Sequence, residues 1–243
     1  GSLWCWGKLP LPGDAAGCSL HEWTKLAVPT SLQIPSGVIA TEVALGEASI
    51  CILDSDGNVR CGGCWPYLES GEPPSTGCWS LDRGGLEGVE PEAGWFKIPG
   101  LTNVRTITSS LHHYCALTDL GDTYCWLSNR GGELGNGVSS GVARPTVIPG
   151  IDDAAMLAVG RYSTCLLSKN DELICWGTVI RPGIEMKDCQ VGPTSAGQHP
   201  AARSLTLGGS WQDGPIQHAC LVTAGGAVKC WGNNSKGQLG VPG

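Results

Sequence analysis

Thirteen cysteines are the residues of this chain whose type and spacing most directly imply chemistry. Cysteine sulfur can bridge, bind metal or attack an electrophile, and the spacing decides among these. Four pairs share one separation of ten positions: Cys51 with Cys61, Cys115 with Cys125, Cys165 with Cys175, and Cys220 with Cys230. Residues opposite one another in a hairpin have a fixed sum of positions, so the first pair centres a three-residue loop on Ser55-Asp56-Gly57. The third residue of such a loop takes a left-handed backbone, which favours Gly and then Asn or Asp. The four copies place Gly57, Gly121, Asp171 and Gly226 there. Cysteines facing each other across a hairpin have Cα atoms about 4.5–5.5 Å apart, within disulfide reach. Each bridge would stabilise its hairpin by roughly 2–3 kcal/mol in the chain-entropy account.

Five cysteines remain: Cys5, Cys18, Cys64, Cys78 and Cys189. Cys64 and Cys78 bracket a Pro/Gly-rich loop, and a local bridge is the expected pairing. Cys18 is one candidate partner for Cys5, and Cys189 lies at the equivalent place in another copy. An odd total leaves at least one thiol free or bonded to another chain. Cys61-Gly-Gly-Cys64 has CxxC spacing, but a four-ligand zinc site wants a second close pair and none is present. Asp54-Ser-Asp56-Gly-Asn58 superficially resembles a calcium loop. The EF-hand pattern needs Gly at its sixth and Glu at its twelfth position, and Val59 and Trp65 stand there. No metal or cofactor is expected. His113 and His218 precede two of the paired cysteines, with no serine motif or recurring acidic partner to make a catalytic set, so no catalytic residue is assigned.

The elements that hold these cysteines repeat. Cys-Trp recurs at Cys5-Trp6, Cys125-Trp126, Cys175-Trp176 and Cys230-Trp231, with Cys61-Gly62 in the same slot. Ile50-Cys51-Ile52-Leu53 and Leu173-Ile174-Cys175-Trp176 are apolar on both faces, as in sheets stacked between sheets. A short strand precedes each hairpin, and 95–99 and 145–149 supply a fourth. Four antiparallel strands per unit of 50–64 residues make a β-propeller blade, so the expected class is all-β. The units are expected at 1–37 (partial), 38–101, 102–151, 152–206 and 207–243 (partial), four to five blades in a single domain. The repeat tryptophans are expected to pack between blades, and 178–205 is expected to be a polar loop over one rim.

Leu117-Thr-Asp-Leu-Gly-Asp-Thr-Tyr-Cys-Trp126, followed by Gly132-Glu-Leu-Gly-Asn-Gly137, resembles the repeat of the regulator of chromosome condensation family. Cys230-Trp-Gly-Asn-Asn-Ser-Lys-Gly-Gln-Leu-Gly240 is closer still. The resemblance implies propeller blades, usually seven, and the paired cysteines are similar to those of the crinkly-type receptor-kinase ectodomain branch. Seven units of this size would need about 390 residues, so a fragment, a partial ring, or a ring completed by another copy or chain is expected, with a closed four- or five-bladed ring as the alternative. No residue can be matched to the exchange-factor activity of the nuclear members, and that activity is not expected here.

Composition agrees with this reading and excludes several functions. Glycine is 37 of 243 residues, about 15% against a usual ~7%. A net charge of −7 with only 15 scattered Lys and Arg disfavours nucleic acid as a partner. No apolar run of membrane-spanning length occurs, so membrane insertion is not expected. So many paired cysteines point to an extracellular or cell-surface protein of the secretory pathway. Asn233-Asn-Ser235 is a glycosylation sequon. Trp65, Tyr67, Trp79 and Trp95 in the insertion of 62–100, and Trp23 in the first insertion, are the candidate ligand-binding aromatics; packing under their own loops is the competing role. The expected function is a non-enzymatic interaction module with protein or glycan partners. The alternatives are a lectin that stacks sugars on those aromatics, and a glycan-active enzyme.

Overall fold

The computed structural model describes residues 2–9, 24–47, 49–65, 79–80, 92–129, 131–139, 142–178, 189–209 and 217–241. All regular structure among them is β. A leading sheet pairs β1 (Leu3–Leu9) with β2 (Thr24–Leu32). The first blade holds β3 (Ala40–Leu45), β4 (Ser49–Asp54) and β5 (Val59–Trp65), with β6 (Trp79–Ser80) and β7 (Phe96–Lys97) both paired to β5. The second blade runs β8 (Val104–Ser109), β9 (His113–Thr118), β10 (Thr123–Leu127) and β11 (Val142–Val147). The third runs β12 (Ala154–Val159), β13 (Ser163–Ser168), β14 (Glu172–Thr178) and β15 (Cys189–Gln198). The fourth holds β16 (Ala202–Gly209), β17 (Gln217–Thr223) and β18 (Val228–Gly232). The four blades are antiparallel sheets stacked face to face as in a β-propeller.

The hairpin arithmetic is met in all four blades. Cys51, Cys115, Cys165 and Cys220 sit directly opposite Cys61, Cys125, Cys175 and Cys230. Each pair is bridged, with a Cα separation of 4.1 Å, slightly under the expected span. In the first blade the Gly57 amide donates to the Asp54 carbonyl at 3.0 Å, and the Asp54 amide to the Asn58 carbonyl at 2.9 Å. That is a type I turn closed by a left-handed residue. Gly57, Gly121, Asp171 and Gly226 all have φ between 63° and 102°. The residue after each Cys-Trp also has positive φ: Gly7, Gly177 and Gly232, with Leu127 taking the same slot at 85°. The sheet register shifts beside Gly7, Leu127 and Gly177, so the third residue of Cys-Trp-Gly is where the strand bulges.

Strand alternation then sorts each hairpin into two apolar faces with opposite neighbours. In the second blade Tyr114, Ala116 and Trp126 join the core of the first blade, including Cys51, Cys61, Leu53 and Val59. Cys115, Leu117 and Cys125 face the other way, onto Ala154, Leu166 and Trp176 of the third blade. The third blade repeats this, with Cys165, Leu167, Leu173 and Cys175 against Leu205, Leu207 and Trp231 of the fourth. Each of the first three blades therefore turns a disulfide rung toward the blade that follows, and that blade lays a tryptophan on it. The first blade has Gly62 in the tryptophan slot. Trp95 takes over the role, fully buried against Cys5 of the leading sheet, with Ile50 and Ile52 beside it.

Three expectations need correcting. The segment 178–205 is not a loop: all of β15 and the first half of β16 lie in it. β15 exposes much of its surface and lacks apolar alternation, so the sequence carries no buried-face signal there; β16 does alternate, with Leu205 and Leu207 packed on the third blade. Trp6 does not pack between blades as Trp126 and Trp176 do; it is 64% exposed. Cys5 is a free, buried thiol whose pKa burial pushes up. Cys18 and Cys78 lie outside the described residues.

Candidate functional site

The polar groups that sequence reasoning marked for chemistry are drawn into the seams between blades. His113 opens β9 and has no exposed surface. Its Nδ1 lies 2.9 Å from Ser110 Oγ and its Nε2 3.0 Å from Thr164 Oγ1 of the third blade. The Thr164 hydroxyl donates its proton to the Glu133 carbonyl at 2.8 Å, so it accepts from His113, and Nε2 carries the imidazole hydrogen. Burial, and secondarily the charge of His112, pushes the His113 pKa down to about 3. A neutral imidazole held from both sides away from solvent ties two blades together and has no route to a substrate.

Other ties follow the same logic. The Tyr114 hydroxyl donates to the Ser49 carbonyl at 2.9 Å and accepts the Gly46 amide at 2.8 Å, joining second blade to first; burial raises its pKa. Glu42 Oε2 accepts from the Ile107 amide and the Thr106 hydroxyl at 2.9 and 3.0 Å. Arg105 Nη2 donates to the Ala154 and Ala155 carbonyls at 3.2 and 2.6 Å. The Trp176 indole donates to the Glu133 carbonyl, and Trp95 does the same to Gln33, both at 2.8 Å.

At the hairpin-tip rim the seam between the first and second blades opens into a polar cleft of about 310 Å³. Asp54, Ser55, Asp56 and Gly57 of one turn line it with Asn103, Arg105 and Asp119 of the neighbour. The Val104 amide donates to the Gly57 carbonyl at 3.1 Å across its floor, as the Ala154 amide does to Gly121 in the next seam at 3.3 Å. Asp54 is engaged within its own turn. Its Oδ1 accepts from the Asp56 and Asn58 amides at 3.1 and 2.9 Å, and its Oδ2 from Arg60 Nε at 3.3 Å. Burial alone would raise its pKa, but these hydrogen bonds outweigh burial and hold it below the usual carboxylate value. The calcium-like spelling of 54–58 is therefore a self-satisfied turn. Asp56 and Asp119 are exposed at the mouth and free to meet cationic or hydrogen-bond-donating groups.

The regulator of chromosome condensation (RCC1) repeat matches residues 216–238, the β17–β18 hairpin and the turn after it. Prp20p of Saccharomyces cerevisiae superposes over 99% of this chain and 56% of its own, with a TM-score of 0.69 at 22% identity. The chain is an RCC1-like β-propeller. The ultraviolet-B receptor UVR8 of Arabidopsis thaliana is 23% identical over 98% of this chain and 50% of its own length. The E3 ubiquitin-protein ligase HERC2 of mouse is 32% identical over 68% of the chain, which is 4% of that protein. The RCC1-like chain thus spans half of UVR8 and a small part of HERC2.

Within this RCC1-like propeller the five candidate ligand-binding aromatics separate. Trp95 has no exposed surface and is an interblade knob, so it offers no face to a ligand. Trp65 and Trp79 stand opposite one another in the β5–β6 register. Tyr67 and Trp23 lie outside the described residues. Cys61 of the CxxC is bridged to Cys51, which takes its sulfur from any zinc site; Cys64 lies in β5 opposite Ser80. Asn233 Oδ1 accepts from the Ser235 amide and hydroxyl at 2.9 and 2.8 Å, ordering the sequon turn. The rim cleft escaped the sequence because two separate turns build it. Its one signal was a carboxylate in each turn, Asp56 and Asp119, at different loop positions.

Proposed function

We propose that this RCC1-like propeller is a non-enzymatic protein-interaction module of an oxidising, extracellular setting, and that the acidic rim cleft takes part in binding. The observation that carries the reading is the set of four cross-hairpin disulfides at equivalent positions, a pattern that persists where thiols are not kept reduced. The seam groups with perturbed acidity, His113 and Tyr114, are both engaged in holding blades together, which leaves the rim as the surface for contact. Prp20p is described as binding Gsp1p and histones; only the broad class, a protein partner, is carried to this chain. Cationic segments suit Asp56 and Asp119 and the net charge of −7.

Two measurements test this. Alkylating the protein from its native source before and after reduction, then weighing it, should protect at least eight cysteines; mostly free thiols would move it to a reducing compartment. Screening the folded protein against extracellular proteins should yield a partner whose binding falls at least tenfold in Asp56→Lys/Asp119→Lys, and unchanged binding would remove the cleft from the proposal. The cross-strand register of Trp65 and Trp79 favours a second reading, a lectin. A glycan array tests it, with specific hits abolished by Trp65→Ala and Trp79→Ala; no hits would end it.

A further inference from the structure

Asn233-Asn234-Ser235 is the one motif that the proposed function leaves unused, and its two asparagines are placed very differently. The third residue after the second cysteine of a hairpin is Ser128, Thr178 and Asn233 in the second, third and fourth blades. The residue that follows organises the next loop. Asn129 Oδ1 accepts from the Leu134 amide at 2.9 Å, and its Nδ2 donates to the Val138 carbonyl at 2.7 Å. Asn234 repeats this, accepting from the Leu239 amide and donating to the Val241 carbonyl, both at 3.0 Å. Asn234 is thus committed through both polar atoms of its amide. Asn233 is committed through one. Its Oδ1 accepts from the Ser235 amide at 2.9 Å, the Ser235 hydroxyl at 2.8 Å and Gln238 Nε2 at 2.9 Å. Its Nδ2 makes no hydrogen bond among the described residues. Ser128 and Thr178 lie in blades with a neighbour on either side and are half-buried, as Asn233 is. The position therefore keeps its access to solvent when both seams are filled.

We propose that Asn233 carries an N-linked glycan, and that this glycan marks the rim opposite the acidic cleft. In such a modification the asparagine Nδ2 bonds to the anomeric carbon of a lipid-diphosphate-linked oligosaccharide. The bond from that carbon to the diphosphate oxygen breaks, and Nδ2 gives up one proton. The nitrogen that must react is the atom left unbonded here, while the hydroxyl that the motif requires sits against the amide oxygen. The turn that holds them spans adjacent residues, so it forms on an emerging chain without the rest of the blade. β18 runs from the turn after Thr223 to Gly232, which puts Asn233 at the end of the blade away from the hairpin tips. Asp56 and Asp119 lie in the tips. A bulky, hydrated sugar at Asn233 covers one rim and leaves the other to a protein partner. The inference rests on the extracellular reading above, because the oligosaccharide donor and the oxidising setting share the secretory pathway.

The test is peptide mapping of the full-length protein secreted by eukaryotic cells, before and after treatment with peptide-N-glycosidase in heavy-oxygen water. Most copies of wild type should show Asn233 converted to labelled aspartate. Asn233→Gln and Ser235→Ala should each lower the label at least tenfold, whereas Ser235→Thr should keep it. The glycosidase should release the glycan from native wild type at a rate within tenfold of that from the denatured protein; a glycan that only denaturation frees would overturn its place on the open rim. Alkylation of the same sample separates this inference from the reading beneath it. Protected cysteines with an unmodified Asn233 would overturn the glycan and leave the extracellular module standing. Mostly free thiols would overturn both.

Discussion

The rungs Cys115–Cys125 and Cys220–Cys230 are alike in register, separation and Cα distance, yet the first is sealed and the second is half-exposed. The hairpin itself is thus a local product of ten-residue spacing, a left-handed turn residue and β-rich strands. What seals a rung is remote, an indole and a set of ties from the next blade. Stability should therefore be graded along the stack, highest in the second and third blades and lowest in the fourth.

The strongest way to break this comparison is through His113. Its native pKa lies near 3, below the unfolded value of 6.5. The unfolded chain therefore takes up this proton first as pH falls. The stabilisation is fully present above about pH 6.5 and is lost progressively toward pH 3, by at most ~5 kcal/mol. Urea titrations across that range should show the decline, and His113→Gln should flatten it. A decline of equal size in that variant would move the effect to other groups. Trp176→Ala should cost ~3–5 kcal/mol as a buried aromatic truncation, and Trp231→Ala clearly less. Equal losses would show that the two seams are equally tight.

The turn glycines sharpen the comparison on a smaller scale. A Cβ on Gly121 would lie 2.5 Å from the Asp152 carbonyl oxygen, whereas one on Gly226 would meet nothing within 4 Å. Both have positive φ, so Gly226→Ala should cost ~1 kcal/mol from backbone strain alone, and Gly121→Ala ~2–3 kcal/mol. Thermal melts of the two variants measure the difference. The smallest effect is kinetic: under mild reductant the Cys220–Cys230 bridge should open first, read by alkylation and peptide mass mapping, because it is the more accessible.

These contrasts also explain what the sequence disclosed. The bridges and turns were legible because hairpin geometry is written in adjacent residues: Cys165, Asp171 and Cys175 need no knowledge of the rest of the chain. Strand β15 was not, since a half-exposed strand at the edge of its sheet needs no apolar face and carries no alternation. Trp95 packs, the competing role to ligand binding, but in a seam between sheets and not under its own loop. It fills the slot vacated by Gly62 from 33 residues further on, and only the folded seam shows that a missing indole has been replaced. Trp6 was misread because repeat position predicted burial, while burial depends on a neighbour. The rim cleft is likewise a property of two turns meeting.

The one-way reach of each tryptophan has a consequence for synthesis. A ribosome releases each of the first three sulfur pairs 51 to 65 residues before the indole that will shield it. An oxidant or isomerase thus has open access to each hairpin while it is the newest blade. The arrival of the next one closes that window, so crosslinking and stacking proceed in step from the amino terminus onward.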